Sequence, residues 1–155
     1  MAGLTQKYSK RRIAEIQIGR AIKVLAEAAD EISAITLAGA AEEILGQKLR
    51  ATGIPCALDH DLAFNKCMWG FAAKRAQEAG QKIVIPDDRA LRDGANRARN
   101  ELKHLREGRP LVAIFDYEAE EMILRALHNY CGVYGSPPPQ KFVQTWYESH
   151  TPKKA

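Results

Sequence analysis

Ile35-Thr36-Leu37-Ala38-Gly39-Ala40-Ala41 is apolar or small nearly all the way round a helix, and it continues into Glu42-Glu43-Ile44-Leu45-Gly46. A helix without a broad polar face belongs in the middle of a bundle. Gly39 and Gly46 each cost about 1 kcal/mol of helix propensity relative to Ala, and close approach of neighbouring backbones is the compensation this implies. Asp30 is a suitable N-cap, because its carboxylate can accept from unpaired backbone N–H groups. The helix is therefore read from about Asp30 to Arg50, ending before Gly53. Glu42 falls in the middle of the stripe formed by Ile35, Ala38, Leu45 and Leu49. A carboxylate there must be paired or hydrogen-bonded, since burying it alone is very costly. Two readings stay open: a core carboxylate anchored to a Tyr, Trp or Arg, or a group that orients residues of a site.

Helical periodicity recurs on both sides of this segment, and no segment alternates as a half-buried strand does. Ile13, Ile18, Ala21, Val24, Leu25 and Ala28 line one face of an amphipathic first helix, from about Ser9 to Ala28. After Pro55 a third helix runs from about Asp59 to Ala79, with Leu62, Trp69, Ala73 and Ala76 in one stripe. Phe64, Met68 and Phe71 widen that stripe, which predicts packing on two sides. Ile83-Val84-Ile85-Pro86 is read as a buried connector. Pro86 and Asp87-Asp88 open a fourth helix, where acids suit the positive end. It is read as continuing to Glu107 and stopping at Gly108. Leu111 to Phe115 is too short and unpartnered for a strand and is read as a buried loop. Asp116 caps a fifth helix with Met122, Ile123, Ala126, Leu127 and Tyr130 inward, unwound by Gly132 and Gly135. Ser136-Pro137-Pro138-Pro139 makes a stiff turn, and Phe142, Trp146 and Tyr147 mark a final short helix. The expectation is an all-α, up-and-down bundle of about five helices plus a short C-terminal helix. One domain covers residues 1–150, with a frayed tail over 151–155.

The chain has 155 residues, 46% hydrophobic and 27% charged, which is the make-up of one ordinary globular domain. No apolar run approaches the roughly 20 residues that span a bilayer. Met1 to Arg12 is polar and basic and lacks the apolar core of a signal peptide. A cytoplasmic location is expected. Cys56, Cys67 and Cys131 are odd in number and fit no zinc spacing; they read as free thiols in a reducing compartment. Asp59-His60-Asp61 reads as a helix-capping segment, because no second ligand cluster stands at a recognisable spacing. His128 and His150 receive no role. There is no Gly-rich phosphate loop, nucleophile elbow or zinc-protease helix. No metal or cofactor is expected.

Net charge is +4, and its distribution says more than its size. Arg89, Arg92, Arg97, Arg99, Lys103, His104, Arg106 and Arg109 crowd one segment, while acids gather at Glu118, Glu120 and Glu121. Such a face is either simply solvated or a phosphate-binding surface. On the fourth helix, at about 100° per residue, Leu91, Ala95, Ala98, Leu102 and Leu105 form the core stripe. Asn96, Asn100 and Lys103 lie on the far side, with Arg99 flanking the stripe and His104 beyond. Arg99 and His104 diverge by about 140° on an ideal helix, so a second copy of the helix is needed to complete any site they share.

Arg99-Asn100-Glu101-Leu102-Lys103-His104 resembles the HEPN superfamily pattern of Arg, a polar residue, three further residues and His on a late helix of a helical bundle. Ala40-Ala41-Glu42-Glu43-Ile44-Leu45-Gly46 and Ala98 to His104 are also similar to a bacterial family of small helical proteins, a likeness that brings no activity with it. The HEPN resemblance implies metal-independent RNA cleavage at a composite site in a homodimer, as in toxins, with an antitoxin protein as a further partner, or in phage defence. His104 would move protons at the ribose 2′-OH or the leaving oxygen. Arg99 would hold phosphate oxygens and offset developing charge. Asn100 would orient the imidazole or the phosphate, Asn96 and Lys103 would contact substrate, and Glu42 would orient Arg99 or His104. Some HEPN-like domains only bind RNA, nucleotides or protein partners, so a non-catalytic binding module is the alternative.

Overall fold

The computed structural model describes residues 5–104 and 111–152. Among these residues the chain is all-α, with seven helices and no strand. Helix α1 (Lys10–Ala28) starts at Ser9, whose hydroxyl accepts from the Arg12 N–H at 3.1 Å. It ends at Ala29, which sits in the left-handed region at φ 49°. There the Asp30 N–H reaches back to the Val24 carbonyl, closing a Schellman-type turn. Asp30 immediately caps α2 (Glu31–Ala51) by accepting from the Ser33 N–H at 3.0 Å. One tight turn therefore ends one helix and starts the next, and sets α1 against α2.

Helix α2 is central. It packs along α1 on one side and α6 (Glu118–Tyr134) on the other, and touches α5 (Arg97–Lys103). The core lies between α1, α2 and α6, where Ile18, Ile35, Leu45, Ile123, Leu127 and Tyr130 are fully buried. The small residues of α2 allow this: Ala34, Ala38 and Ala41 have no exposed surface. Helix α7 (Lys141–His150) lays Val143 onto the same core.

Helix α3 (Ala57–Glu78) packs on α4 (Asp88–Ala95), and its first turns meet α6. Its stripe of Leu62, Trp69, Ala73 and Ala76 is at least half buried. The widening of that stripe is not: Phe64 is 66% exposed, Met68 50% and Phe71 61%. The spacing places these three on the opposite side of the helix from Leu62 and Ala76. The connector Ile83-Val84-Ile85 is also exposed rather than buried, and so are Leu111, Val112 and Phe115.

The expected fourth helix is two helices. Helix α4 ends at Ala95, Asn96 takes a non-helical conformation (φ −111°, ψ 14°), and α5 begins at Arg97. That break accounts for the seventh helix. Helix α5 ends at Lys103, so His104 is its C-cap in extended backbone and is no longer helical. The expected continuation through Leu105, Arg106 and Glu107 to Gly108 and Arg109 lies outside the described residues. Asp116 does not cap α6; Tyr117 holds the cap position without a side-chain bond, and Glu118 accepts from the Phe115 N–H instead. Gly132 lies within α6 and only Gly135, at φ 79°, ends it. Thr151 bonds back to the Tyr147 carbonyl, so the tail is tied at its first residue. No helix among the described residues is long and apolar enough to cross a membrane.

Candidate functional site

The centre of the site is a single carboxylate on the core helix. Glu42 is 3% exposed. Its Oε1 accepts from Arg125 Nη2 at 3.1 Å, and its Oε2 accepts from Arg99 Nη1 at 3.3 Å. Two arginines from different helices thus share one buried acid, which satisfies its lone pairs as a buried charge requires. Arginine is one of the three anchors, Tyr, Trp or Arg, that the sequence left open for Glu42.

Arg125, on α6, is the organising cation. Its Nη1 donates to the Ala95 carbonyl at 2.9 Å and its Nη2 to Asn96 Oδ1 at 3.0 Å. The break between α4 and α5 frees backbone carbonyls that a continuous helix would have used, and Arg125 caps one of them. The guanidinium therefore fixes the kink. Its Nε lies 3.7 Å from Asp61 Oδ2, near the start of α3. Burial pushes the Asp61 carboxyl above its ordinary range, with the positive charge of Arg125 opposing it. Burial likewise raises Glu121, and Asp61 adds to the rise.

Asn129, one turn after Arg125 and 1% exposed, completes the frame. Its amide donates to the Glu42 carbonyl at 3.2 Å, and its oxygen accepts from the Ala57 N–H at 2.7 Å. Gly46 lies beside it, where a Cβ would meet Asn129 Nδ2 at 3.4 Å, an ordinary contact distance. The four elements α2, α3, the α4–α5 junction and α6 are therefore joined through Glu42, Arg125 and Asn129.

Of the residues singled out from the sequence, Glu42, Asn96 and Arg99 converge. Asn96 is not on the far side of its helix; it is 5% exposed and bonded to Arg125, because the kink turns it inward. Arg99 lies across α2, with Nη1 also 3.3 Å from the Gly39 carbonyl. Its Nη2 makes no hydrogen bond among the described residues. Asn100 is half-buried, and its carbonyl accepts from the His104 N–H at 3.1 Å. Lys103 is exposed, 3.5 Å from Glu43. His104 is exposed and touches neither Glu42 nor Arg99 among the described residues. One protomer does not bring Arg99 and His104 together.

Arg125 and Asn129 were missed by sequence reasoning. The signal was their spacing of four on α6, beside the inner-face residues Met122 and Ala126, together with the demand of Glu42 for a cation. His60 and Asp61 line a cavity of about 470 Å³ with His128 and Asn129. Asp59 has the capping role expected of the trio, accepting from the Cys56 N–H at 3.1 Å. Among the described residues no cluster of His, Cys, Asp and Glu is placed to hold a metal. No protein-family model matches the chain, and comparison with curated proteins and with solved structures gives no match.

Proposed function

We propose that the chain is a homodimeric, metal-independent endoribonuclease of the HEPN type, acting on RNA in the cytoplasm. The observation that supports this best is the fixing of Arg99. Glu42 and the Gly39 carbonyl hold its Nη1, with Glu43 Oε2 3.9 Å away, and its Nη2 makes no hydrogen bond among the described residues. A guanidinium fixed in this way is preorganised for a phosphate oxygen. His104, exposed at the end of α5, is the proton carrier. In the reaction, one His104 takes the proton of a ribose 2′-OH. The 2′-oxygen attacks the adjacent phosphorus while the bond to the 5′-oxygen breaks, and the partner's His104 protonates that leaving oxygen. A 2′,3′-cyclic phosphate and a 5′-hydroxyl result. Lys103, next to His104, contacts the RNA backbone, and Asn100 positions the His104 backbone through its carbonyl.

The alternative is a non-catalytic module that binds RNA, a nucleotide or a protein such as an antitoxin. It is favoured by the commitment of Arg99 to Glu42, which makes it in part a structural residue. Incubation of the protein with mixed RNA in excess EDTA, alongside His104→Ala, separates the two. Cleavage by the parent alone, with cyclic phosphate ends, supports the enzyme. Salt-dependent binding without cleavage supports the module, and cleavage that survives in His104→Ala rejects the assignment of the proton carrier.

A further inference from the structure

The first turn of α1, the last turns of α2 and the final residue of α6 surround a cavity of about 540 Å³. Lys10 and Arg11 of α1 and Lys48 of α2 line it, with Ser9, Gln47 and Tyr134 between them. No carboxylate lines it, whereas Asp61 lines the cavity beneath His60 and His128. Other surface cations find acids: Lys66 stands 2.6 Å from Asp88, and Lys103 stands 3.5 Å from Glu43. Lys10 and Lys48 are exposed and form no ion pair among the described residues. Glu15 is already shared between Arg11 at 3.0 Å and Arg12 at 3.6 Å.

The cations are held in place rather than left to wave in water. Arg11 Nε donates to Glu15 Oε1 at 3.0 Å and to the Tyr130 oxygen at 3.2 Å, and both partners are buried. The guanidinium is therefore fixed, while its two Nη groups make no hydrogen bond among the described residues. Tyr134 gathers the charges: Arg11 Cζ lies 4.6 Å and Lys48 Nζ 4.8 Å from its ring centroid. Lys48 Nζ also donates to the Tyr134 hydroxyl at 3.3 Å. Two like charges thus share one ring, an arrangement that an anion between them relieves. Helix α1 has no acid in its first turn, and its positive end adds to Lys10 and Arg11. The negative end of α2 carries about half a unit charge, so it offsets Lys48 only in part.

We propose that this cavity binds a phosphate monoester, held by the Arg11 Nη donors, Lys10, Lys48 and the Ser9 hydroxyl. A monoester carries close to two negative charges at neutral pH, which suits three cations better than the single charge of a diester. The Ser9 oxygen accepts from the Arg12 N–H, so its own proton is free to donate. Ile44 supplies an apolar wall for the rest of the ligand, and the volume falls in the range of small-molecule sites, about 300–1,000 Å³. The monoester comes either from a free metabolite or from the 5′ end of an RNA chain. The cavity shares no lining residue with Glu42, Arg99, Arg125 or His104, so it is a second site and does not depend on the chemistry proposed above.

Titration of the full chain with adenosine 5′-monophosphate, followed by amide NMR and calorimetry, tests this. The nucleotide should move the resonances of Gln47, Lys48 and Tyr134, and adenosine, which lacks the phosphate, should not. Lys48→Ala should raise the dissociation constant about tenfold, the loss of one charge-assisted hydrogen bond, and Lys48→Glu should abolish binding. Lys10→Ala should weaken it as well. Circular dichroism should be unchanged in all three variants, because both lysines are exposed. Uncleavable 2′-O-methyl trinucleotides with and without a 5′-phosphate separate the two sources. Tighter binding of the phosphorylated trinucleotide than of the mononucleotide assigns the site to RNA ends, and the reverse order assigns it to a free metabolite. Absence of shifts at these residues, equal binding of adenosine, or an affinity indifferent to both lysines overturns the proposal. No RNA cleavage enters the readout, so the result stands apart from the ribonuclease reading.

Discussion

Gly39 and Arg99 are in direct contact across the α2–α5 interface: a Cβ on Gly39 would fall 2.6 Å from Arg99 Cδ. The missing side chain lets the guanidinium reach both the Gly39 carbonyl and Glu42. Gly39→Ala gains about 1 kcal/mol of helix propensity but displaces Arg99 from hydrogen bonds to charged groups, which contribute about 1.5–3 kcal/mol. A net destabilisation of about 1 kcal/mol is expected in urea unfolding. Gly46→Ala, whose Cβ would meet Asn129 Nδ2 at 3.4 Å and Cys56 Sγ at 3.5 Å, should be close to neutral. Equal stability of the two variants would show that Arg99 does not need the space.

Removing the shared acid is more severe. Glu42→Ala leaves Arg125, with a side chain 6% exposed, and Arg99 without their buried counter-charge. Breaking a buried pair from one side costs about 3–5 kcal/mol. The α4–α5 kink should loosen as well, since Arg125 holds the Ala95 carbonyl and Asn96. Adding Arg125→Met to Glu42→Ala should recover part of the loss, because no unpaired charge then remains at that position. A Glu42→Ala cost below about 1 kcal/mol in denaturant titration would mean that water reaches the cluster and screens it.

The parts of the fold that were legible are those governed by local chemistry. Asp30 acts as the cap that its side chain suggests, α1 starts beside Ser9 where its pattern does, and α2 is central because Ile35 to Ala41 has no polar face. Glu42 was recognisable as a buried charge from its position in an apolar stripe. What was not legible depends on distant partners. The kink at Asn96 follows Gly94, a weak helix former, but one glycine does not by itself end a helix; the break is held by Arg125, which lies on a different helix. Phe64, Met68 and Phe71 look like core because apolar spacing reports a face and not what covers it. Arg99 and His104 belong to one short motif, yet α5 ends between them, so their local pattern does not determine their separation.

Acid should weaken the start of α3. Burial pushes the Asp59 carboxyl up, but hydrogen bonds from Arg50 and the Cys56 N–H outweigh it and bring it from 3.8 to about 2. The unfolded carboxylate takes its proton near 3.8 and the folded one near 2, so the contribution of this group is whole above pH 3.8 and is lost as pH falls through about 2. Asp59→Asn should therefore show a constant deficit at neutral pH that shrinks below 3.8 and vanishes near 2. Urea unfolding of both proteins across that range measures it. A deficit independent of pH would assign the loss to the N-cap geometry alone.

Alkali should act where Tyr130 joins α6 to α1. Its hydroxyl donates to Glu15 Oε1 at 2.6 Å, and Arg11 Nε donates to Glu15 at 3.0 Å and to the Tyr130 oxygen at 3.2 Å. Burial, and then the bond to Glu15, push the Tyr130 phenol from 10.0 up to about 12, with Arg11 opposing. On the Glu15 carboxyl, burial acts upward, but the bonds from Tyr130 and Arg11 outweigh it and hold it below the ordinary range. The raised phenol stabilises the fold fully below pH 10.0, and that contribution disappears as pH rises through about 12, because the unfolded chain loses its proton first. Tyr130→Phe should lower stability by about 1–2 kcal/mol at neutral pH, the effect of leaving Glu15 short of a donor. The difference from the parent should narrow as the pH approaches 12. Chemical denaturation in that window, with tyrosinate absorbance as the second readout, decides the matter. A Tyr130→Phe deficit that does not narrow with alkali would mean that ring packing against Tyr134, not the hydroxyl, ties α6 to α1.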